Sequence, residues 1–412
     1  MTKNASKTTK VSRRSFVIGS AAAGGGLAIG LHVPGLGEAL AQKALGDAGN
    51  EIGVWVFIKP NDDVIVRIAR SEMGQGTLTG LAQLVAEELE CDWKKVKTEY
   101  PTPGQNRARN RAWGDMSTGG SRGIRASHEY VRKGGAAARM MLVQAAANEW
   151  KVPASECKVE AGVITHASGK RTTYGKVAAA AAKLEVPTDI KLKDPKDWKI
   201  AGKPMKRLDT ADKLRGKQVY AIDVTLPGML NAAIKDAPVF GAKVKGYDEA
   251  KVAGMPGVRK VVKVNDTTVA VVADTWWQAK KALDALPITY EDTPNAKVSS
   301  AIIAERLKEG LTAKDAHAGN QNGDALKAIA EAPRKIEAVY STPFLAHATM
   351  EPMNCTARYT ADKCEVWVAS QNGEASHAAA SEASGLPLAN CEVYKHHLGG
   401  GFGRRGGTQD FV

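Results

Sequence analysis

The sequence predicts an α+β fold of mixed sheets and helices, on three observations. Val54–Ile58 and Val64–Ile68 are short, strand-like apolar stretches joined by the turn-rich Lys59-Pro60-Asn61-Asp62-Asp63. Between Thr77 and Glu90, Leu78, Leu81, Leu84, Val85, Glu88 and Leu89 recur near every 3.6 residues, the period of a helix. A Lys-, Asp- and Pro-rich stretch with little periodicity, Pro187–Pro204, then separates this region from a second set of short strands around one helix.

The elements follow in order. Thr77 stands where it can cap the first helix, and Val96–Tyr100 is a further strand. A long helix is expected from about Ile124 to Trp150, ending before Pro153, and an alanine-rich one over Tyr174–Leu184. Pro187–Pro204 reads as a surface connection. In the second region Tyr220–Leu226, Met229–Lys235, Val258–Val264 and Thr268–Ala273 are strand-like, Trp276–Leu286 is helical, and Arg215–Glu291 forms a compact α+β domain. Asp292–Glu331 is a charged helical connection. Strands are expected again at Ile336–Tyr340, Asn354–Tyr359, Cys364–Ser370 and Cys391–His396.

The 412 residues carry 57 Lys and Arg against 44 Asp and Glu, a net charge of +13. These cations are scattered and aromatics make up only 6%, which speaks for a generally basic surface and against a nucleic-acid partner. The five cysteines show neither CxxC pairing nor iron–sulfur loop spacing, so any redox cluster is expected on another polypeptide.

Met1–Ala41 has the order of an export signal. A polar cationic start leads to Ser12-Arg13-Arg14-Ser15-Phe16-Val17, a Gly/Ala-rich run to Leu31, and Ala39-Leu40-Ala41. The paired arginines and weak hydrophobicity point to the twin-arginine route, which carries folded proteins, rather than an ordinary secretory signal. A periplasmic location is expected, with membrane association left open.

Three segments could carry chemistry. Ser71-Glu72-Met73-Gly74-Gln75-Gly76-Thr77 joins a strand to a helix, where glycines and free helix amides suit an anionic ligand. His347 and Glu351 stand four apart, without the second histidine of a metalloprotease helix, ahead of the strand ending at Ser370-Gln371. Gln371 is a neutral amide, suited to hydrogen bonding an oxo or carbonyl group. Leu398–Arg405 gathers glycines around Phe402 and adds the fork-shaped donors Arg404 and Arg405, which by spacing alone make an anion-binding loop. It follows neither the P-loop nor the dinucleotide pattern, and His396-His397 before it read as strand-end residues.

In this order the segments resemble the molybdopterin-binding large subunit of the xanthine dehydrogenase/aldehyde oxidase family. Within it they are most similar to the exported beta chain of isoquinoline 1-oxidoreductase and its aldehyde-oxidising relatives. The resemblance rests on Glu72-Met73-Gly74-Gln75-Gly76 continuing through Ala86-Glu87-Glu88-Leu89 and Asp92-Trp93, on Pro227-Gly228-Met229-Leu230 and Pro256-Gly257-Val258, and on Met350-Glu351-Pro352, Ser370-Gln371 and Gly399–Gly403. It implies a signal over 1–41, a molybdopterin-binding-like segment over 51–205, an a/b hammerhead domain over 206–292, a helical connection over 293–334, and the incomplete start of the main cofactor domain over 335–412.

It implies as well a molybdenum held by molybdopterin, as its cytosine dinucleotide or a similar form, with no protein ligand to the metal. The expected reaction is hydroxylation of an N-heteroaromatic or aldehyde with oxygen from water. By the same resemblance Gln371 meets the axial oxo group, and Gly400, Gly401, Phe402, Gly403 and Arg404 line the cofactor, with the amides of Phe402 and Gly403 over the metal. Gly74, Gln75 and Gly76 hold the pterin or its phosphates. Electrons would leave through a [2Fe–2S] small subunit toward a cytochrome c-type acceptor.

Two departures qualify this. The family's base is a glutamate near the end of a longer chain, and no position here matches it. Arg404-Arg405-Gly406 stands where xanthine dehydrogenase-like chains have Gly-Lys-Glu, so xanthine is not the expected substrate. The expectation is the front part of a large subunit, inactive alone; the alternative is a non-catalytic assembly partner that takes its base from a second chain.

Overall fold

The computed structural model describes residues 49–317 and 319–412, so the export signal expected at 1–41 lies outside the described residues. Two compact units emerge: one from the residues up to Val224 with His347–Val412, the other from Thr225–Ala346. The second unit thus takes in most of the stretch expected as the hammerhead domain together with the connection after it.

In the first unit, Asn50–Ile52, Val56–Ile58 and Val64–Arg67 run antiparallel, and Val96–Glu99 joins Val64–Arg67 in parallel. A parallel pair needs a crossover. The helix Thr77–Leu89 supplies it, burying Leu78, Leu81, Leu84, Val85 and Leu89. It packs on the helix His128–Trp150, where Gly135 permits a close approach: a Cβ there would lie 2.4 Å from the Val85 carbonyl oxygen. The long helix expected from Ile124 is broken, with a short turn at Arg122–Arg125 before it. Three short strands, Cys157–Glu160, Val163–His166 and Arg171–Thr173, form a meander that no strong alternation announced.

The Pro187–Pro204 stretch is not simply solvated. Buried Glu87 accepts the amides of Lys199, Ile200 and Ala201, and buried Glu88 accepts that of Lys193. Two carboxylates on the first helix therefore hold an aperiodic segment in place. A second sheet has Cys355–Tyr359 antiparallel to Cys364–Val368, which runs parallel to Cys391–Lys395; the helix Gly373–Ser384 makes the crossover.

In the second unit, Val258–Lys263, Thr268–Ala273 and Asn231–Asp236 form an antiparallel sheet, and Val244–Tyr247 pairs with Ile288–Tyr290. The helix Trp276–Ala285 starts at a capping box of Thr275 and Gln278 and covers a core of Val261, Val269, Val271, Ala279 and Leu283. Helices Ser300–Gly310 and Ala325–Glu331 bury no residue. Two expected strands are absent. Tyr220–Leu226 holds a 3-10 turn at Ala221–Asp223, and Ile336–Tyr340 is exposed with no paired strand among the described residues. Alternation makes a strand only where another edge is offered.

Candidate functional site

The site is assembled at the ends of parallel strands in the first unit. Cys364–Val368 and Cys391–Lys395 point the same way, so Gln371 and the glycine loop leave their sheet at one edge. Val64–Arg67 leads into the Glu72–Gly76 turn. Hydrogen bonds tie the three segments together. Ser71 Oγ donates to the Ser370 carbonyl at 2.8 Å, the Leu398 amide to the Glu72 carbonyl at 2.9 Å, and the Gln371 amide to the Arg405 carbonyl at 3.1 Å.

Thr118 stands between them. Its hydroxyl accepts the Ser71 amide, its amide donates to the Gln371 carbonyl, and its carbonyl accepts Gln371 Nε2 at 2.7 Å. Sequence reading passed over Thr118, and only the flanking glycines Gly119-Gly120 hint at a tight loop there.

The Glu72–Gly76 turn corrects one expectation. Thr77 is the first helical residue and not the cap; Gly76 holds the cap position in the left-handed region at φ 87°, with no capping side chain. Glu72 does that work. Its buried carboxylate accepts the amides of Gly74 at 2.8 Å, Gly76 at 3.0 Å and Leu78 at 3.0 Å. Gln75 is turned onto its own loop, accepting the Met73 amide and donating to the Ser71 carbonyl. The amides that suited an external anion at Gly74 and Gly76 are thus taken by an internal one.

Arg207 clamps the turn from outside, donating to the Gly74 carbonyl at 2.8 Å and to Glu72 Oε1 at 3.1 Å. Hydrogen bonds with Asp209 push the Arg207 guanidinium pKa up. Burial raises the Asp209 carboxyl pKa, but hydrogen bonds from Arg207 and Lys213 outweigh it and hold the group well below the usual range.

The glycine loop is built differently. Arg405 is fully buried beneath it, donating to the carbonyls of Gly400, Ala369 and Glu351, with the Glu351 carboxylate 3.3 Å away. Burial lowers the Arg405 pKa, opposed by Glu351. Glu351 also accepts the amides of Gly399 and Ile222, so it braces the loop rather than pairing with His347. Arg404, expected on the cofactor, instead makes a two-pronged ion pair with Asp410 at 2.6 and 2.9 Å. Both arginines thus hold the protein's own groups.

Above Arg405 the backbone turns through positive φ at Gly400 (96°), Phe402 (51°) and Gly403 (75°). Phe402 is 56% exposed, and a non-glycine residue in this conformation costs on the order of 1 kcal/mol. Among the described residues the amides of Gly400, Gly401, Phe402 and Gly403 find no acceptor. Gly401 fits tightly: a Cβ there would lie 2.4 Å from Met73 Sδ and 3.0 Å from Gln371 Oε1. Gln371 Oε1 is itself buried and unpaired. Gly401 thus brings the glycine loop against one orphaned acceptor, Gln371 Oε1, and a buried polar group without a partner costs about 1–3 kcal/mol. No group of three or more His, Cys, Asp or Glu among the described residues is placed to hold a metal ion directly.

The molybdopterin cofactor-binding domain family matches residues 4–220, over half of the chain, and again residues 309–410; the chain belongs to that family. It is 27% identical to the "membrane-bound aldehyde dehydrogenase [pyrroloquinoline-quinone]" of Gluconacetobacter polyoxogenes over 96% of this chain and 52% of that one. It is 28% identical to the beta chain of isoquinoline 1-oxidoreductase from Brevundimonas diminuta, over 97% of this chain and 56% of that one. Against a nicotinate dehydrogenase subunit of Pseudomonas putida it is 27% identical, over 85% of this chain and 30% of the relative. The chain thus spans about half the length of the first two relatives and less of the third.

The family's cofactor is molybdopterin carrying molybdenum, and the residues present fit it. Such a group needs hydrogen-bonding partners, and the Gly400–Gly403 amides and Gln371 Oε1 are available for it.

Proposed function

We propose that this chain is the cofactor-binding front portion of an exported molybdenum hydroxylase large subunit that oxidises an aldehyde or N-heteroaromatic compound. The observation that carries the reading is the buried, unpaired Gln371 Oε1 against Gly401, in a loop whose Gly400–Gly403 amides find no acceptor among the described residues. When bound, molybdopterin supplies two-electron oxidation with oxygen taken from water.

The chain's own residues bind and orient. Gln371 is fixed by Thr118 at 2.7 Å, so its amide presents Oε1 and its second N–H in one plane without further ordering. The amides of Gly400–Gly403 are preorganised donors where negative charge develops, held by buried Arg405 and Glu351 below. The Gly74–Gly76 turn, stiffened by Glu72 and Arg207, offers a fixed wall rather than amides. Arg404, occupied by Asp410, is left outside the set.

The cytosine dinucleotide form, electron transfer to a [2Fe–2S] small subunit and a cytochrome c acceptor, and periplasmic location through the signal at 1–41 all belong to this proposal. The Arg13-Arg14 motif supports the location, and the lack of cluster-spaced cysteines supports a cluster on another chain.

The test is the metal and pterin content of the protein purified from the periplasm with its co-purifying chains. About one molybdenum per chain, with CMP released on hydrolysis, is expected. Protein that is exported and folded but holds neither defeats the proposal.

A further inference from the structure

The first unit has an open cleft of about 320 Å³, lined by Tyr100, Lys217, Gln218, Lys395, His396 and His397 among others. A second space of about 230 Å³ shares Leu78, Thr98, Asp212, Gln218 and His397 with it. Lys395 ends the strand Cys391–Lys395, and His397 follows just beyond it.

Their partners are incomplete. Lys395 is buried without a carboxylate, donating to the Ala69 carbonyl at 2.6 Å and lying 4.9 Å from the centre of the Tyr100 ring. His397 packs on the other side of that cluster, 5.8 Å from the Tyr100 ring, with Nε2 buried and unpaired. Of the two carboxylates in the lining, Glu99 is held by Arg67 at 2.7 Å, and only Asp212 is left, on an exposed part of the wall.

The composition narrows the occupant. Among the described residues no three side chains are set to hold a metal, so the two histidines do not make a metal site. The lining mixes polar and apolar groups, which disfavours a wholly apolar molecule, and the exposed Lys217 disfavours a cation. We propose that this cavity binds a small oxyanion, a carboxylate or a phosphate, with His397, Lys217 and Gln218 as its donors. The anion supplies His397 Nε2 with its missing partner. This site is separate from the cofactor residues and does not depend on their reading.

The experiment follows ¹⁵N-histidine resonances of the full-length protein during titration with inorganic phosphate, with acetate, and with chloride at matched ionic strength. The expected result is a saturable shift of the His397 signals by phosphate or acetate but not chloride; the tighter of the two names the source. Lys217→Ala, at an exposed position, weakens that binding at least about tenfold with the Tm unchanged, and His397→Gln weakens it similarly. The proposal is overturned if neither anion saturates, if chloride gives the same shifts, or if both variants bind as the unaltered protein does.

Discussion

Replacing Glu72 by glutamine keeps the side chain's length and removes one charge from a place where three backbone amides and a guanidinium converge. Oε1 of Glu72 accepts Gly74, Gly76 and Arg207, and Oε2 accepts Leu78. In Glu72→Gln the carbonyl can keep the Oε1 partners at neutral strength, but the new NH2 meets the Leu78 amide donor to donor. Losing the charge assistance costs about 1–2 kcal/mol over these bonds, and the orphaned buried amide adds about 1–3 kcal/mol. The first unit should therefore lose about 2–5 kcal/mol, a fall in Tm of roughly 4–20 °C for a domain of this size. Urea and thermal unfolding by circular dichroism measure it, with Glu90→Gln, on the half-buried rim of the same helix, as the comparison. A loss below about 1 kcal/mol would refute the claim that Glu72 fills the amide turn.

Other substitutions separate binding from folding. Gln371→Leu gives up one hydrogen bond to Thr118 and an unpaired acceptor, so stability should change by less than about 1.5 kcal/mol; the molybdenum retained after gel filtration should fall about tenfold, and unchanged retention contradicts the role given to this amide. Gly401→Ala sets a methyl against Met73 and Gln371, and should cost about 1–3 kcal/mol with a displaced loop in the variant's crystal structure. Arg404→Ala removes a partly exposed ion pair with Asp410 together with contacts to Thr408 and the Phe411 ring, so it should cost about 1 kcal/mol and leave metal content intact. Burial, helped by Arg70, holds the Lys395 pKa down to about 7. Between that value and the usual 10.5 the unfolded chain keeps a proton that the folded chain has released, so stability rises with pH across this window. The rise totals up to about 5 kcal/mol at about 1.4 kcal/mol per pH unit, and Lys395→Met should flatten it; parallel urea-stability profiles from pH 6 to 10 for the two proteins would contradict the assignment.

Strong local signals were legible in the sequence. The 3.6-residue period found the Thr77–Leu89 crossover helix, and the apolar runs found the strands that lead to Gln371 and to the glycine loop. The Gly400–Gly403 turn was visible because glycines announce positive φ, as at Gly400 and Gly403. What sequence could not show was who satisfies whom. Glu72 and an external anion compete for the same amides, and spacing alone does not say that the internal carboxylate takes them. Arg404 and Arg405 are adjacent and alike, yet one is paired with Asp410 and the other is buried under the loop. Thr118 lies more than 250 positions from Gln371 in sequence and carries no motif, so its contact appears only in three dimensions. The helix Gly373–Ser384 was missed because its apolar face is made mostly of alanine and serine, which give little periodic contrast.

The measurement that bears most directly on the central claim is an anomalous difference map at the molybdenum K edge, from crystals of the protein isolated with its cofactor. One peak is predicted on the side of the loop faced by the Gly400–Gly403 amides and Gln371 Oε1, with no protein atom ligating the metal. A peak elsewhere in the chain, or a molybdenum ligated by a side chain, would contradict the account.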